Sequence, residues 1–206
     1  MLPYYEDEKR FLQDLPHPLP SAFDMMISFA TERGILLRDE VISAIQSVDH
    51  EVFLLPCFAQ ISKVDEQNAR MATMYALLGF PAPIWVDPDG EVINSTAVPF
   101  VAAMISEGLQ APGRTRALII GSGCGFAPAI VSILGFGSVV GIEIRPGLAA
   151  ISRQTLKDND FHDVQIVSGD ASHWVKTHGE RFDMAISFAA LPDDSSGRGA
   201  LQTFLG

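Results

Sequence analysis

The chain has 206 residues, 48% of them hydrophobic and 19% charged, and this composition is that of a packed globular domain, not of a disordered or coiled-coil chain. Lysines and arginines number 14 against 25 aspartates and glutamates, so the formal net charge of −11 disfavours binding to nucleic acid or to an anionic membrane. The apolar runs are shorter than a membrane span, and the first residues of the sequence do not resemble a signal peptide. Both features predict a soluble cytoplasmic protein.

The first half of the chain divides into an arm and a helical region. Residues 1–22 are predicted to form an N-terminal arm, because their prolines lack an N–H group and restrict the residues before them. Residues 23–99 are predicted to be a helical N-terminal region that ends in a hairpin. Apolar residues recur at helical spacing after Asp39 and again over residues 65–78, whereas Asp87–Gly90 is a turn signal between two short apolar runs.

The pattern changes in residues 100–206, where short apolar runs rich in β-branched residues alternate with helical stretches. Such runs are typical of strands buried on both faces of a parallel sheet, with the intervening helices as crossovers. We predict an α/β fold whose right-handed crossovers bring the carboxyl ends of the strands to one edge, where ligands bind. The predicted strands are Ala117–Ile120, Val139–Ile142, Val164–Val167 and Met184–Phe188.

A glycine-rich loop joins the first of these strands to a helix. Glycines allow a sharp turn and a close approach of a ligand, which then faces the N–H groups of the helix. Phe126 stands where a dinucleotide fingerprint needs its third glycine, and the Gly-Lys-Ser/Thr of a phosphate-binding loop is missing. The spacing therefore favours a nucleoside without a pyrophosphate. The loop consists of Gly121, Ser122, Gly123, Cys124 and Gly125.

Two acidic residues follow the next two predicted strands. Glu143 ends the second strand, where a carboxylate is placed to accept hydrogen bonds from both hydroxyls of a ribose. Asp170 follows the third strand, next to Ala171, where it suits the exocyclic amino group of adenine. Either acid alone is typical of a solvated loop or a helix cap. Their joint position after a glycine loop predicts a nucleoside site.

These stretches resemble the protein-L-isoaspartate O-methyltransferases, a family of S-adenosylmethionine-dependent enzymes, over about residues 25–193. The resemblance implies a Rossmann-like methyltransferase sheet, S-adenosylmethionine as the cofactor, and methyl transfer to a carboxylate of an isoaspartyl peptide or of a small molecule. The cofactor-binding residues that it implies are Gly121, Ser122, Gly123, Cys124, Gly125, Glu143, Asp170 and Ala171. The matching stretches are Arg33–Ile35, Val48–Phe53, Val101–Met104, the glycine loop, Gly141–Glu143, Gly169–Asp170, Phe182–Asp183 and Ala189–Pro192.

The resemblance also implies a hydroxyl residue beside the reacting carboxylate. Counting back without gaps from Met104 places Thr96 at the serine of the family's I-S-x-P motif, and the neighbouring Ser95 is an equal candidate. His50 stands where the family has an arginine and is a candidate for the substrate cleft. The histidines and the two cysteines show no metal-ligand spacing, so no metal site is predicted, and Cys124 is expected to be a small packing residue.

Three features depart from the family. Ile119 stands where an acidic residue meets the ammonium group of the cofactor, and residues from about 57 to 80 resemble an insertion. The family also continues with three further strands, so the sheet is expected to be cut short after its fourth strand, with residues 182–188 as an open apolar edge. We expect a homodimer to cover this edge. There are two alternatives to the homodimer. The extra N-terminal residues could cover the edge, or the chain could be a piece of a longer protein.

These departures leave two further interpretations of function. The first is a non-catalytic module that keeps the methyltransferase fold for binding or assembly, which Ile119 and the altered hydroxyl motif favour. The second is a methyltransferase that acts on a different acceptor. Retention of the loop glycines, Glu143 and Asp170 favours an active S-adenosylmethionine-dependent carboxyl O-methyltransferase.

Overall fold

The computed structural model describes residues 22–60, 76, 79, 81–110 and 113–189. The predicted arm, apart from its last residue, and nearly all of the helix predicted at 65–78 lie outside the described residues. Within these ranges, no single helix is long and apolar enough to cross a membrane. The pair Asp39–Gln46 and His50–Phe58 meets that requirement only jointly, and it bends by 56° at its break.

The helical region predicted for the first half is confirmed in its described part. Helix α1 spans Ala22–Glu32, α2 spans Asp39–Gln46 and α3 spans His50–Phe58. The acidic first turn of α2 suits the positive end of its helix dipole. Helix α3 starts at a true cap, because the Asp49 side chain accepts a hydrogen bond from Glu51 N.

The hairpin predicted before residue 99 is also confirmed. Strand β1 (Pro83–Val86) pairs antiparallel with β2 (Val92–Asn94), and Gly90 takes a φ of 85° in the turn between them. Helix α4 (Val98–Gly108) follows, with a proline in its first turn, where the missing N–H group does no harm. The hairpin thus leads directly from the turn at Gly90 to the predicted hydroxyl motif.

All four predicted strands are present in one parallel sheet. The strands are β3 (Arg116–Ile120), β4 (Ser138–Glu143), β5 (Val164–Ser168) and β6 (Met184–Ser187), in the order β5-β4-β3-β6. The connecting helices are α5 (Phe126–Ile133), α6 (Pro146–Asp158) and α7 (Ala171–His178). Strand β3 pairs on both edges, and its alternate residues pack into apolar clusters on opposite faces of the sheet, which explains its unbroken apolar sequence.

The two faces of the sheet belong to two apolar clusters. Ile119 and its neighbours on one face join a large cluster that extends from Met26 in α1 to Ile186 in β6. Leu118 on the opposite face packs with Phe182 and, at its margin, Trp174 of α7. The helical region and the sheet therefore share one core, and the division at residues 99 and 100 stays a prediction.

Strand β6 is fixed to β3 at its amino end, and its outer side has no neighbouring strand among the described residues. Asp183 Oδ2 accepts hydrogen bonds from Thr115 N at 2.6 Å and Arg116 N at 2.9 Å, which fixes β6 against β3 at the amino ends of both strands. These hydrogen bonds lower the pKa of Asp183. Among the described strands, none pairs with the outer side of β6.

Candidate nucleoside site

A cavity of about 520 Å³ lies along the carboxyl ends of the strands. Its wall combines the glycine loop after β3, the ends of β4 and β5, the segment after β2, and the start of α3. Gly125 is the one predicted site residue that the wall does not contain. The predicted residues that line the cavity are Ser95, Thr96, Gly121, Ser122, Gly123, Cys124, Glu143, Asp170 and Ala171.

The loop glycines are needed for different reasons. All three adopt left-handed backbone angles, with φ values of 73° at Gly121, 55° at Gly123 and 95° at Gly125. A Cβ atom on Gly125 would lie 2.6 Å from Ser152 Oγ, so this glycine permits α5 to approach α6 rather than a ligand to approach the loop. A Cβ atom on Gly123 would lie 3.3 Å from Ile84 Cδ1, since the hairpin covers the loop there.

Glu143 is a buried carboxylate that ties two loops together. Its Oε2 atom accepts a hydrogen bond from Gly123 N at 3.0 Å, and its Oε1 atom accepts one from Arg145 N at 3.0 Å. Such charge-assisted bonds compensate a carboxylate for the loss of water. Each oxygen has two lone pairs, so the side chain keeps capacity to accept hydroxyl groups of a ligand.

Asp170 is both a helix cap and part of the cavity wall. It precedes α7, and its Oδ1 atom accepts a hydrogen bond from Ser172 N at 2.8 Å. Hydrogen bonds from the side chain and backbone of Ser172 lower the pKa of this exposed carboxyl, which is therefore ionised at neutral pH. The capping role that this residue type commonly has is present, and it leaves the residue in the wall of the cavity.

The β1–β2 hairpin is docked over the cavity by contacts between residues that are far apart in the sequence. Arg145 Nε lies 3.2 Å from Asp87 Oδ1 in a half-buried ion pair. The Trp85 ring covers Gly147, where a Cβ atom would lie 2.8 Å from Trp85 Cζ2. The hairpin therefore closes one side of the cavity. Its docking depends on Gly147 at the start of α6, because a side chain there would collide with Trp85.

The two hydroxyl candidates have different hydrogen-bond surroundings. Ser95 holds the base of the hairpin closed, because its Oγ accepts a hydrogen bond from Ala82 N at 3.2 Å and its N–H donates to Ala82 O. Thr96 is half-buried in the cavity wall, and its hydroxyl has no hydrogen-bond partner among the described residues. Ser95 therefore has a structural role as an acceptor and keeps its O–H as a donor, whereas Thr96 has no structural side-chain hydrogen bond within the described part of the chain.

Two cavity residues carry buried polar atoms without a partner. His50 Nδ1 and Ser122 Oγ are both inaccessible to solvent and make no hydrogen bond within the described part of the chain. Burial lowers the pKa of His50 from 6.5 to about 4, so its imidazole is neutral. An unpaired buried polar group costs about 1–3 kcal/mol, which a ligand that supplies the missing hydrogen bond would recover.

Ile119 lies in the core and does not line the cavity. It is fully buried in the large apolar cluster, while the next residue, Ile120, reaches the cavity wall. Ile144, directly after Glu143, lines the cavity and is 60% exposed, so a flat ring has an apolar surface to lie on. An apolar residue after the acid at a strand end was the available sequence signal for Ile144.

The thiol at the cavity is predicted to be unreactive. Burial raises the pKa of Cys124 from 9.0 to about 11, and burial together with the neighbouring Cys124 raises that of Cys57 as well. The thiolate is the reactive form, and a rise of this size lowers its fraction at pH 8 by about 100-fold. We expect iodoacetamide to alkylate the folded protein about 100-fold more slowly than the urea-unfolded chain, as followed by mass spectrometry. Equal rates in the two states would contradict the packing role of Cys124.

The sheet, the glycine loop and the acids at the strand ends define an α/β protein of the Rossmann-like methyltransferase class. Solved structures share this fold. A protein-L-isoaspartate O-methyltransferase aligns with a TM-score of 0.64 and 17% identity over 88% of this chain and 51% of that one. A Plasmodium falciparum protein assigned to the same family was solved with S-adenosyl-L-homocysteine. It aligns with a TM-score of 0.57 and 16% identity over 84% of this chain and 77% of that one.

The sequence places the chain within that class. The family model for protein-L-isoaspartate(D-aspartate) O-methyltransferase matches residues 22–193, so the chain belongs to this family. A protein-L-isoaspartate O-methyltransferase from Myxococcus xanthus is 37% identical over 46% of this chain and 44% of its own length. Another from Anaeromyxobacter is 32% identical over 67% of this chain and 48% of its own length. The chain spans about half the length of these curated relatives.

Proposed function

We propose that the chain is an S-adenosylmethionine-dependent carboxyl O-methyltransferase whose acceptor is an isoaspartyl peptide or another carboxylate. One observation carries this proposal. A single cavity brings together the glycine loop, the two acids and the unpartnered hydroxyl of Thr96. A nucleoside cofactor and a carboxylate acceptor therefore have complementary groups within one cavity.

The cavity residues fit a cationic nucleoside better than a dinucleotide. Glu143 would hold the ribose hydroxyls and Asp170 the amino group of adenine. The charge of Arg145 is already balanced by Asp87, so two carboxylates dominate the wall and would repel a pyrophosphate. The unpaired polar atoms of His50 and Ser122 are a further sign that a polar ligand completes this site.

The proposed reaction requires no covalent or proton-transfer step from a side chain. S-Adenosylmethionine, when bound, supplies a methyl group on a sulfonium that is already activated for transfer. A carboxylate acceptor is ionised at neutral pH, so no residue has to remove a proton from it. The chain has to orient the acceptor oxygen and exclude water. Thr96 would donate a hydrogen bond to the acceptor, while the docked hairpin shields the cavity.

A methyl-transfer assay tests the proposal directly. Purified protein is incubated with radiolabelled S-adenosylmethionine and an isoaspartyl peptide, beside the same peptide with a normal aspartyl residue. We expect base-labile label on the isoaspartyl peptide alone. Label on neither peptide, with a small carboxylic acid labelled instead, would transfer the proposal to a different acceptor.

A non-catalytic binding or assembly module is the second candidate. The apolar residue Ile119 favours it, because the resemblance to the family implies an acidic residue at this position in the sequence. Calorimetry with S-adenosylmethionine and S-adenosylhomocysteine separates the two functions. Heat from both ligands supports the enzyme, whereas a folded protein that gives heat with neither supports the module.

The homodimer and the cytoplasmic location stay predictions. The outer side of β6 supports the dimer, because its apolar residues have no strand beside them in the described part of the chain. Light scattering after size exclusion at low micromolar concentration should then give twice the mass of one chain. A monomer at that concentration would rule out pairing through β6.

A further inference from the structure

Arg145 and Asp87 form a two-point ion pair that has no part yet in the proposed reaction. Arg145 Nε lies 3.2 Å from Asp87 Oδ1, and Arg145 Nη2 lies 3.3 Å from Asp87 Oδ2. Both side chains are half-buried, with 29% and 23% of their surface exposed. A guanidinium that meets a carboxylate at two points fixes the orientation of the two groups as well as their distance. The pair therefore sets how the β1–β2 hairpin lies against the end of β4.

The backbone of each partner is itself held in place. Arg145 N donates a hydrogen bond to Glu143 Oε1 at 3.0 Å, immediately before α6 begins. Asp87 N donates to Glu91 O at 2.9 Å, and Asp87 O accepts from Gly90 N at 2.8 Å. Asp87 thus belongs to the turn of the hairpin, and Arg145 belongs to the loop that carries the proposed ribose acceptor. The ion pair joins these two segments directly.

The opposite end of the hairpin leads to the proposed acceptor contact. Ser95 N donates a hydrogen bond to Ala82 O at 2.6 Å, and Ser95 Oγ accepts one from Ala82 N at 3.2 Å, so the strands are closed at their base. Thr96 is the next residue and lines the cavity. A two-stranded unit that is closed at both its turn and its base moves as one body. A tilt of the turn therefore displaces Thr96.

We propose that Arg145 and Asp87 are positioning residues, which place the hydroxyl of Thr96 relative to the nucleoside site. This role rests on the proposed function and deepens it, because neither side chain has to touch the acceptor or take part in the transfer. A displacement of about 1 Å at a reacting centre costs up to about 100-fold in rate. An ion pair that does not contact the reacting atoms can thereby change kcat.

A direct effect of charge is the alternative role for this pair. Arg145 lines the cavity, whereas Asp87 does not, and loss of either partner leaves the other charge unbalanced. An unbalanced Arg145 would attract a carboxylate acceptor and an unbalanced Asp87 would repel it, so the two changes would shift KM in opposite directions. Positioning predicts the same effect from both changes, because either one releases the turn of the hairpin.

Steady-state kinetics of Asp87→Asn and Arg145→Gln separate the two roles. We expect each variant to lower kcat for methylation of the isoaspartyl peptide by about 10-fold, with KM for the peptide within about threefold of wild type. Affinity for S-adenosylhomocysteine should also stay within about threefold, because Trp85 still packs on Gly147 and keeps the hairpin over the cavity. The double variant should be no slower than either single variant, since both changes remove one interaction.

Thr96→Val shows whether the pair acts through this hydroxyl. In the wild-type chain the change removes a hydrogen bond from a well-placed donor, but in Asp87→Asn the hydroxyl is already displaced. We expect the loss in kcat from Thr96→Val to be at least about threefold smaller in the Asp87→Asn background than in the wild type. Equal losses in both backgrounds would refute the positioning role.

Nuclear magnetic resonance follows the hairpin without any turnover. The backbone amide resonance of Thr96 should shift in both Asp87→Asn and Arg145→Gln, because either change lets the hairpin tilt. An unchanged Thr96 resonance would show that the pair does not place this residue.

Glu40→Gln is the matched control. It breaks the ion pair between Glu40 Oε2 and Arg114 Nη2 at 2.8 Å, and neither of these two residues lines the cavity. Both kcat and the Thr96 resonance should keep their wild-type values. If this variant loses as much kcat as Asp87→Asn, general loosening of the fold explains the effect, and the positioning role is refuted.

The remaining outcomes are equally decisive. Opposite shifts in KM with kcat retained would establish the direct charge effect instead. Wild-type turnover with unchanged kcat in both variants refutes the positioning role alone, whereas a wild type that methylates no carboxylate refutes the proposed function and this role together. Should thermal melting show that Arg145→Gln is unfolded, Arg145→Lys takes its place. Lysine keeps the charge but not the two-point contact, so kcat should still fall by at least about threefold, and full retention of kcat would contradict the role.

Discussion

Replacing Glu143 with alanine is expected to weaken binding of S-adenosylhomocysteine by at least about 100-fold. The variant loses the proposed acceptor for the ribose and leaves Gly123 N and Arg145 N without their partner. Because these bonds are charge-assisted and the carboxylate is buried, we also expect a loss of about 2–4 kcal/mol in the free energy of unfolding. Calorimetric titration measures the affinity, and differential scanning calorimetry measures the stability.

Asp183 offers a matched control for this prediction. Its carboxylate also accepts two backbone N–H groups, those of Thr115 and Arg116, but at the opposite ends of the strands. Asp183→Ala should therefore lower the melting temperature and leave the affinity for S-adenosylhomocysteine unchanged. If both variants lose affinity to the same extent, general loosening of the sheet explains the result, and Glu143 is not a ligand-binding residue.

Replacing Thr96 with valine is expected to lower kcat for methylation of an isoaspartyl peptide by about 10- to 100-fold, which is the cost of removing one hydrogen bond to a charged group. Valine has the same shape as threonine, so the cavity wall is kept and only the hydroxyl is lost. The affinity for S-adenosylhomocysteine should change by less than about threefold, because the cofactor is held by other residues. Initial-rate assays and calorimetry give the two quantities separately.

Ser95→Ala distinguishes this effect from disturbance of the hairpin. The variant removes the acceptor for Ala82 N, so we expect a lower melting temperature with kcat retained. The opposite pattern, in which Ser95→Ala loses activity and Thr96→Val keeps it, would assign the substrate contact to Ser95. The sequence left both hydroxyls open as candidates; Ser95 Oγ has a structural hydrogen bond, and the two variants decide which hydroxyl contacts the substrate.

The sheet and its acidic strand ends were predictable from the sequence because their signals are local. A strand buried on both faces must be apolar throughout, as in Ala117–Ile120, and the position of Glu143 follows from where the next such run ends. The glycine loop was equally predictable, since a turn at positive φ between a strand and a helix needs glycine.

The contacts that complete the site were not predictable in this way. The ion pair of Arg145 with Asp87 and the docking of Trp85 on Gly147 join residues that are far apart in the chain. Hydrophobic periodicity reports the face of an element but not its partner. Gly125 illustrates the limit, because its sequence position suggested ligand binding while its Cα faces Ser152 of the adjacent helix.

The docked hairpin has a consequence for the order of events in a catalytic cycle. The same two-stranded element lines the cavity and continues into Thr96, so under the proposed function a hinge movement that admits the cofactor would also displace the contact for the acceptor. Exchange of spent cofactor and departure of the methylated product would then be coupled steps. Because the half-buried ion pair between Arg145 and Asp87 holds the hairpin in place, raising the ionic strength should weaken this contact and speed opening of the hairpin.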